Sequence, residues 1–310
     1  MSRRPPAFRP RAIDGVSPSC VALPSGPWRT VSEFLAQRLP VVSHEEWLRR
    51  MARGEVLDAQ GRALTPDTAY QPETRVYYYR TLAHEPAIPF DATVLYQDDY
   101  LVVADKPHFL PVTPAGRYVQ QTLLVRLKRE LGIDTLSPAH RIDRDTAGLV
   151  LFTVQPHTRN LYQTLFRDRS VQKEYEAIAP YREDLSLPLC YRSRLVESAP
   201  AFMQMREEAG TANAETQVSL IERKEDLARY ALRPVTGQKH QLRAHMAALG
   251  IPILNDRIYP QLYPDEGENV DYSRPLQLLA KRIQFIDPVR GEERMFESRF
   301  TLRFPSAAAP

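Results

Sequence analysis

Apolar residues recur along this 310-residue chain at two spacings. Residues three and four apart share a helix face, whereas alternate residues share a strand face. Over 30–39, Val31, Phe34, Leu35 and Leu39 keep the helical spacing behind a Thr30/Glu33 capping box. A second short helix follows from Ser43 and Glu46, with Trp47, Leu48 and Met51 on its apolar face and Gly54 as its stop. Short β segments come next, with a turn at Gln60-Gly61 and a strand over 76–79. The proline-containing stretch 84–89 then predicts a linker at about 81–90.

Beyond it, strands over 94–96 and 100–104 flank Gln97-Asp98-Asp99, a connection suited to an antiparallel pair. Leu123, Leu124, Leu127 and Leu131 predict a helix over 122–131 with Gly132 behind it, and 149–154 reads as a continuously apolar, buried strand. A helix over 161–166, strands over 173–179, 215–221 and 229–235, and a helix over about 239–249 complete the pattern. On that last helix Leu242, Met246 and Leu249 face the core, while His240, Arg243 and Ala247 share another side that points Arg243 outward, where it could meet the carboxylates of residues 140–152. Strands and helices without regular βαβ alternation predict an α+β domain on a largely antiparallel sheet.

Composition narrows this. Hydrophobic residues make up 43% and charged residues 25%, which excludes a wholly disordered or fibrous chain. With 27 prolines against 12 glycines, a coiled coil is excluded, and no GxGxxG or GxxxxGK[ST] phosphate cradle occurs. The net charge of +3 names no partner, but residues 1–50 and 229–257 each carry +4. Two basic zones on a nearly neutral protein suit an anionic polymer, as they also suit plain solvated surface. Cys20 and Cys190 lie far apart with no CxxC pair, so neither a disulfide framework nor a structural zinc site is predicted, and a reducing compartment fits. No apolar run approaches the length of a membrane span. The start is basic and proline-rich without a signal-peptide core, predicting a disordered tail over 1–28 and a cytoplasmic protein.

Two polar clusters carry the candidate chemistry: HRIDRDTAGLVLF at 140–152, where charges run into a buried strand, and TGQKHQLRAHMAALGIPILND at 236–256. His140, Asp143, Asp145, His240, His245 and Asp256 are all potential metal ligands. However, His240 and His245 are five apart, far from the alignment of an i, i+4 pair, and His245 fits a hydrogen-bonded structural histidine. No GxSxG elbow supports a Ser-His-Asp enzyme, and Cys190 lacks a basic neighbour that would identify a thiolate.

At these clusters the chain resembles the RluA-type pseudouridine synthase family. HRIDRDTAGLVLF is similar to the family's HRLDxxTSGLLLF, KEYEA at 173–177 to its KxYxA strand, and the second cluster to TGRxHQIRxHxxxxGxPIxGD. VLYQDDYLVVADKP at 94–107 resembles the family's opening hairpin, and LLAKRIQFIDPVRGE at 278–292 its closing segment. The resemblance implies a pseudouridine synthase fold over 90–303 that isomerises uridine in ribosomal or transfer RNA. That reaction needs no cofactor, and a monomer without a metal is the expectation.

By this resemblance Asp143 is the catalytic aspartate, attacking ribose or base or assisting elimination, and Arg243 is the arginine that pairs with it and keeps it ionised. Tyr175 is the tyrosine that stacks on the target uracil and helps remove its carbon-bound proton. Arg141 belongs near the position vacated by the extruded base, and Gln238, Lys239 and His240 in the second cluster belong to the RNA contacts. The chain departs from the pattern at Gln238, which replaces an arginine, and at His108-Phe109, which replaces a small residue and a glycine. Ile142 and Ala147 are milder changes. Residues 29–80 resemble the small RNA-binding module named after ribosomal protein S-four, two helices then a hairpin, although Glu45 and Glu46 stand where that module carries basic charge. The alternative from another class is a noncatalytic RNA-binding or ribosome-assembly protein retaining the fold.

Overall fold

Thr30 and Ser43, each with an extended backbone, cap the start of a helix, their side-chain oxygens accepting from the backbone N–H of Glu33 at 3.3 Å and Glu46 at 3.2 Å. The computed structural model containing these helices describes residues 10–80, 82, 84–198, 204–264, 267 and 270–305. It divides into two units, the first taking residues up to 85 with 115–120 and 125–134, the second the remainder.

In the first unit β1 (Ser19–Ala22) precedes α1 (Val31–Arg38) and α2 (His44–Ala52), and β2 (Val56–Leu57) and β3 (Arg75–Tyr78) complete an antiparallel sheet in the order β1-β3-β2. Phe34, Leu35, Trp47, Val56 and Val76 form its core. The disordered tail predicted over 1–28 is corrected here. Residues 1–9 lie outside the described residues, but 19–22 are a strand, because Val21 and Leu23 contribute apolar surface to that core. The predicted linker includes residues 81 and 83, which also lie outside the described residues.

The second unit opens with β4 (Thr93–Gln97) and β5 (Leu101–Lys106), whose turn is held by Asp98, its Oδ1 accepting from the backbone of Tyr100 and Leu101 at 2.8 Å each. Helix α3 (Leu123–Leu131) contributes residues to each unit. Then come β6 (Ser137–Pro138), β7 (Ala147–Thr153), α4 (Arg159–Arg167), β8 (Gln172–Pro180), β9 (Leu189–Glu197) and β10 (Met205–Glu208). The unit closes with β11 (Ala214–Lys224), β12 (Leu227–Pro234), α5 (Gln241–Ala248), β13 (Leu278–Ile286) and β14 (Glu293–Glu297).

These strands form one sheet in the order β10-β9-β11-β12-β8-β13-β7-β5-β4, with β14 on β13 and β6 on β7. Every pairing is antiparallel except β13 with β7. The fold is therefore α+β on a mixed, largely antiparallel sheet. All seven residues of β7 are buried, which is why that stretch reads as an unbroken apolar run. Gly148 occupies the parallel junction at φ 109°, and a Cβ there would meet the Ala280 carbonyl oxygen at 2.3 Å. Helix α5 packs Leu242 and Met246 against Ala177, Tyr230 and Leu232 of the sheet. Among the described residues no helix is long and apolar enough to cross a membrane.

Candidate active site

The segment between β6 and β7 carries Asp143 and has little regular structure, so its shape depends on groups that grip its backbone. His140 Nε2 accepts from the Leu151 N–H at 3.1 Å, and its ring stacks on Phe166 with centroids 4.3 Å apart. Burial lowers the His140 pKa to about 3, so the ring is neutral as that acceptor role requires. Lys106, at the end of β5, is fully buried and donates Nζ–H to the carbonyls of Pro107 and Arg144, each at 2.9 Å. Burial lowers its pKa to about 7, against the pull of Asp145 and Asp143. His108 donates Nδ1–H to the Asp145 carbonyl at 2.7 Å, and the Thr146 N–H closes a turn onto the Asp143 carbonyl at 3.3 Å.

Arg243 reaches this segment from α5. Its side chain is only 2% exposed, which corrects the outward orientation predicted from helical spacing. Residues 241–246 of α5 are all buried, so the helix has no polar face for Arg243 to occupy over that stretch. Nε and Nη2 grip the two oxygens of Asp256 at 2.8 and 2.7 Å, and Nη1 donates to Asp143 Oδ2 at 3.3 Å. Burial opposes the charge of Arg243. The Asp256 hydrogen bonds and the charges of Asp256, Asp143 and Asp145 outweigh it and raise the pKa, so the guanidinium is permanently cationic. The Asp256 side chain is wholly buried, and its Oδ1 also accepts from the backbone of Ile258 at 2.8 Å and Tyr259 at 3.0 Å.

His240 precedes α5 with a left-handed φ of 51° that brings Nε2 to 3.8 Å from Asp143 Oδ1. Tyr259 Oη accepts from the Met205 N–H at 2.6 Å and donates towards His240 Nδ1 at 3.4 Å, an order that leaves Nε2–H facing Asp143. Burial lowers the His240 pKa despite Asp143, so this donor is neutral. Tyr175, a half-buried residue, lies on β8 opposite Leu232 and Ala280, and its phenol has a raised pKa through burial first and the charge of Asp143 second.

Asp143, Arg243, His240 and Tyr175 thus share one site. Arg141, Gln238 and Lys239 are exposed: Arg141 has no side-chain partner among the described residues, Gln238 donates to the Asn213 carbonyl at 3.4 Å, and Lys239 pairs with Glu197 at 3.4 Å. Asp256 as the rigid seat of Arg243, and Lys106 and His108 as grips on the Asp143 segment, were not assigned from sequence. The signal for Asp256 was its position closing the GIPILND stretch, and for Lys106 its place in the ADKP strand end. Among the described residues no three His, Cys, Asp or Glu side chains converge as metal ligands. Asp256 is fully engaged by Arg243 and backbone, and His245 is held by Thr216 at 2.9 Å and Ser193 at 3.1 Å.

Residues 100–248 match the family described as RNA pseudouridylate synthase. The dual-specificity RNA pseudouridine synthase RluA of Salmonella typhimurium is 30% identical over 213 residues, covering 66% of this chain and 91% of that protein. The chain belongs to the RluA-type pseudouridine synthase family. As a pseudouridine synthase it is an isomerase acting on RNA. The mitochondrial tRNA pseudouridine(32) synthase of Saccharomyces cerevisiae is 34% identical over 185 residues, of whose length the chain spans 39%. The solved structure of human RNA Pseudouridylate Synthase Domain Containing 4 superposes with a TM-score of 0.51 at 26% identity, covering 67% of this chain and 88% of that one.

Proposed function

We propose that this synthase modifies a uridine of ribosomal or transfer RNA in the cytoplasm as a monomer without a cofactor, with Asp143, Tyr175 and Arg243 as its catalytic groups. The observation that carries the site assignment is Arg243, clamped by Asp256 at 2.7 and 2.8 Å and still donating to Asp143. A guanidinium fixed from behind presents a positive charge to the Asp143 carboxylate in a set geometry. A relative named for a transfer RNA position supports the substrate class.

In the reaction the bond from ribose C1′ to uracil N1 breaks, the base turns, and C1′ bonds to C5. The C5 proton is lost and N1 gains one, so atoms and charge balance without a redox partner. Asp143 starts this by attack or by assisting elimination. The extruded base stacks on Tyr175. At rest the phenol is protonated, its pKa raised by burial first and by the charge of Asp143 second; if Asp143 loses that charge in the reaction, the phenol passes its own proton to solvent more readily, and the phenolate takes the proton that C5 releases. Arg141, exposed and unpaired, suits the gap left in the RNA, with Gln238 and Lys239 along the backbone.

The test is Asp143→Asn, with tritium release from RNA labelled at uracil C5 and pseudouridine mapped against a deletion strain. The expected result is lost turnover with retained folding and RNA binding. Wild-type turnover would remove Asp143 from the chemistry, and an unmodified map with binding intact would identify a noncatalytic RNA-binding protein.

A further inference from the structure

Phe109 is a bulky residue held at φ 67°, in the left-handed region, a backbone conformation that strains a side chain of this kind. Such a conformation persists only where its surroundings over-determine it. Here the ring is 8% exposed and caged by Phe90, stacked at 6.0 Å between centroids, and Tyr272, edge-on at 5.1 Å, while Phe90 and Tyr272 themselves meet at 5.4 Å. The cage fixes the turn after β5, and the turn aims the preceding side chain, His108, at the Asp143 segment.

We propose that His108, set by the caged Phe109, is a positioning residue that holds the Asp143 segment at the height needed for reaction. The inference rests on the reading of Asp143 as the catalytic carboxylate. Lys106 and His108 project from one short stretch onto two consecutive carbonyls, those of Arg144 and Asp145. With the Thr146 N–H on the Asp143 carbonyl and Arg243 on its carboxylate, the segment is gripped at four successive residues. A carbonyl only accepts, so His108 must present Nδ1–H, and at 2.7 Å that bond is the shortest of the four. Small displacements of a reacting group cost rate steeply, so this contact belongs to turnover rather than to RNA affinity.

The experiment compares the full-length wild type with His108→Leu, which removes the donor, and His108→Asn, whose amide nitrogen overlays Nδ1 and restores it. Phe109→Gly frees the turn without strain, and Asp143→Asn is the control. Substrate is total transfer and ribosomal RNA from a strain deleted for this protein, labelled with tritium at uracil C5. Turnover, KM, filter binding and thermal midpoint are measured for each. His108→Leu and Phe109→Gly are expected to lower kcat by about 10-fold to 100-fold, with KM and binding within about twofold, and His108→Asn to recover most of the loss. Wild-type kcat in His108→Leu overturns the inference, as does an equal loss in the Asn and Leu variants that follows their thermal midpoints. If Asp143→Asn itself turns over normally, it is the assignment of Asp143 that fails.

Discussion

The two roles proposed for the Tyr175 phenol, stacking and proton removal, are separated by a single substitution. On β8 Tyr175 shares a face with Ala177 and Ala179, small neighbours that leave room for a planar base beside the ring. Tyr175→Phe keeps the stacking surface and removes the hydroxyl. It should leave RNA binding intact and slow tritium release by roughly 10² to 10⁴, whereas Tyr175→Ala should harm both. Equal tritium release by wild type and Phe variant would confine Tyr175 to stacking. Sequence alone pointed to Asp143 and Arg243 through their motifs, yet it described Arg243 as facing outward. The missing partner was Asp256, which lies 13 residues on in a loop, and no spacing rule brings a loop carboxylate back onto a helix. His108 was visible only as a departure from a pattern, because its hydrogen bond goes to a backbone carbonyl and leaves no pairing signature.

Among the elements, β7 was legible because burial on both faces removes polar residues altogether. Strand β9 was not: Arg192 and Arg194 interleave with Tyr191, Ser193 and Leu195, so a half-buried alternation resembles a charged loop. What could not be read was the neighbour of each strand. The contact of β7 with β13 is decided by Gly148, whose missing side chain lets the two backbones close in parallel register. Gly148→Ala should therefore cost more than the roughly 1 kcal/mol of ordinary propensity. With a carbonyl 2.3 Å from the new methyl and a φ of 109°, we expect about 3 kcal/mol or more, read as a lower urea midpoint. A midpoint within experimental error of wild type would mean the junction is not tight.

Across the whole molecule, charge burial sets how stability follows pH. Burial, the leading cause in each case, lowers the pKa to about 4 for His108 and His245 and to about 3 for His140, from an ordinary 6.5. Between those values and 6.5 the unfolded chain binds more protons than the folded one, so stability must fall as pH drops through that window. The denaturant midpoint at pH 5 should lie clearly below that at pH 7. Lys106 acts in the same sense on the alkaline side: its pKa is about 7 folded against 10.5 ordinarily, so its burial penalty fades as pH rises between them. Lys106→Met should flatten the profile there, and an unchanged slope would show that the ammonium is not desolvated. The fold class and the order of motifs were legible in sequence. The order of strands in the sheet was not, because it depends on pairings between segments as far apart as 147–153 and 278–286.

That last pairing governs how the enzyme comes into being on the ribosome. Asp143 precedes β7, which with β5, β4 and β6 makes one part of the sheet; Tyr175 and Arg243 belong to β8 and to α5, which packs on the other part. The strand that joins the two is β13, emerging roughly a hundred residues after β8. Until Leu278–Ile286 has left the exit tunnel, the nascent chain holds the acid and its partners on separate fragments, each with an unpaired strand edge open to wrong associations. Catalytic competence therefore waits on β13, the late strand through which the two parts of the sheet are joined.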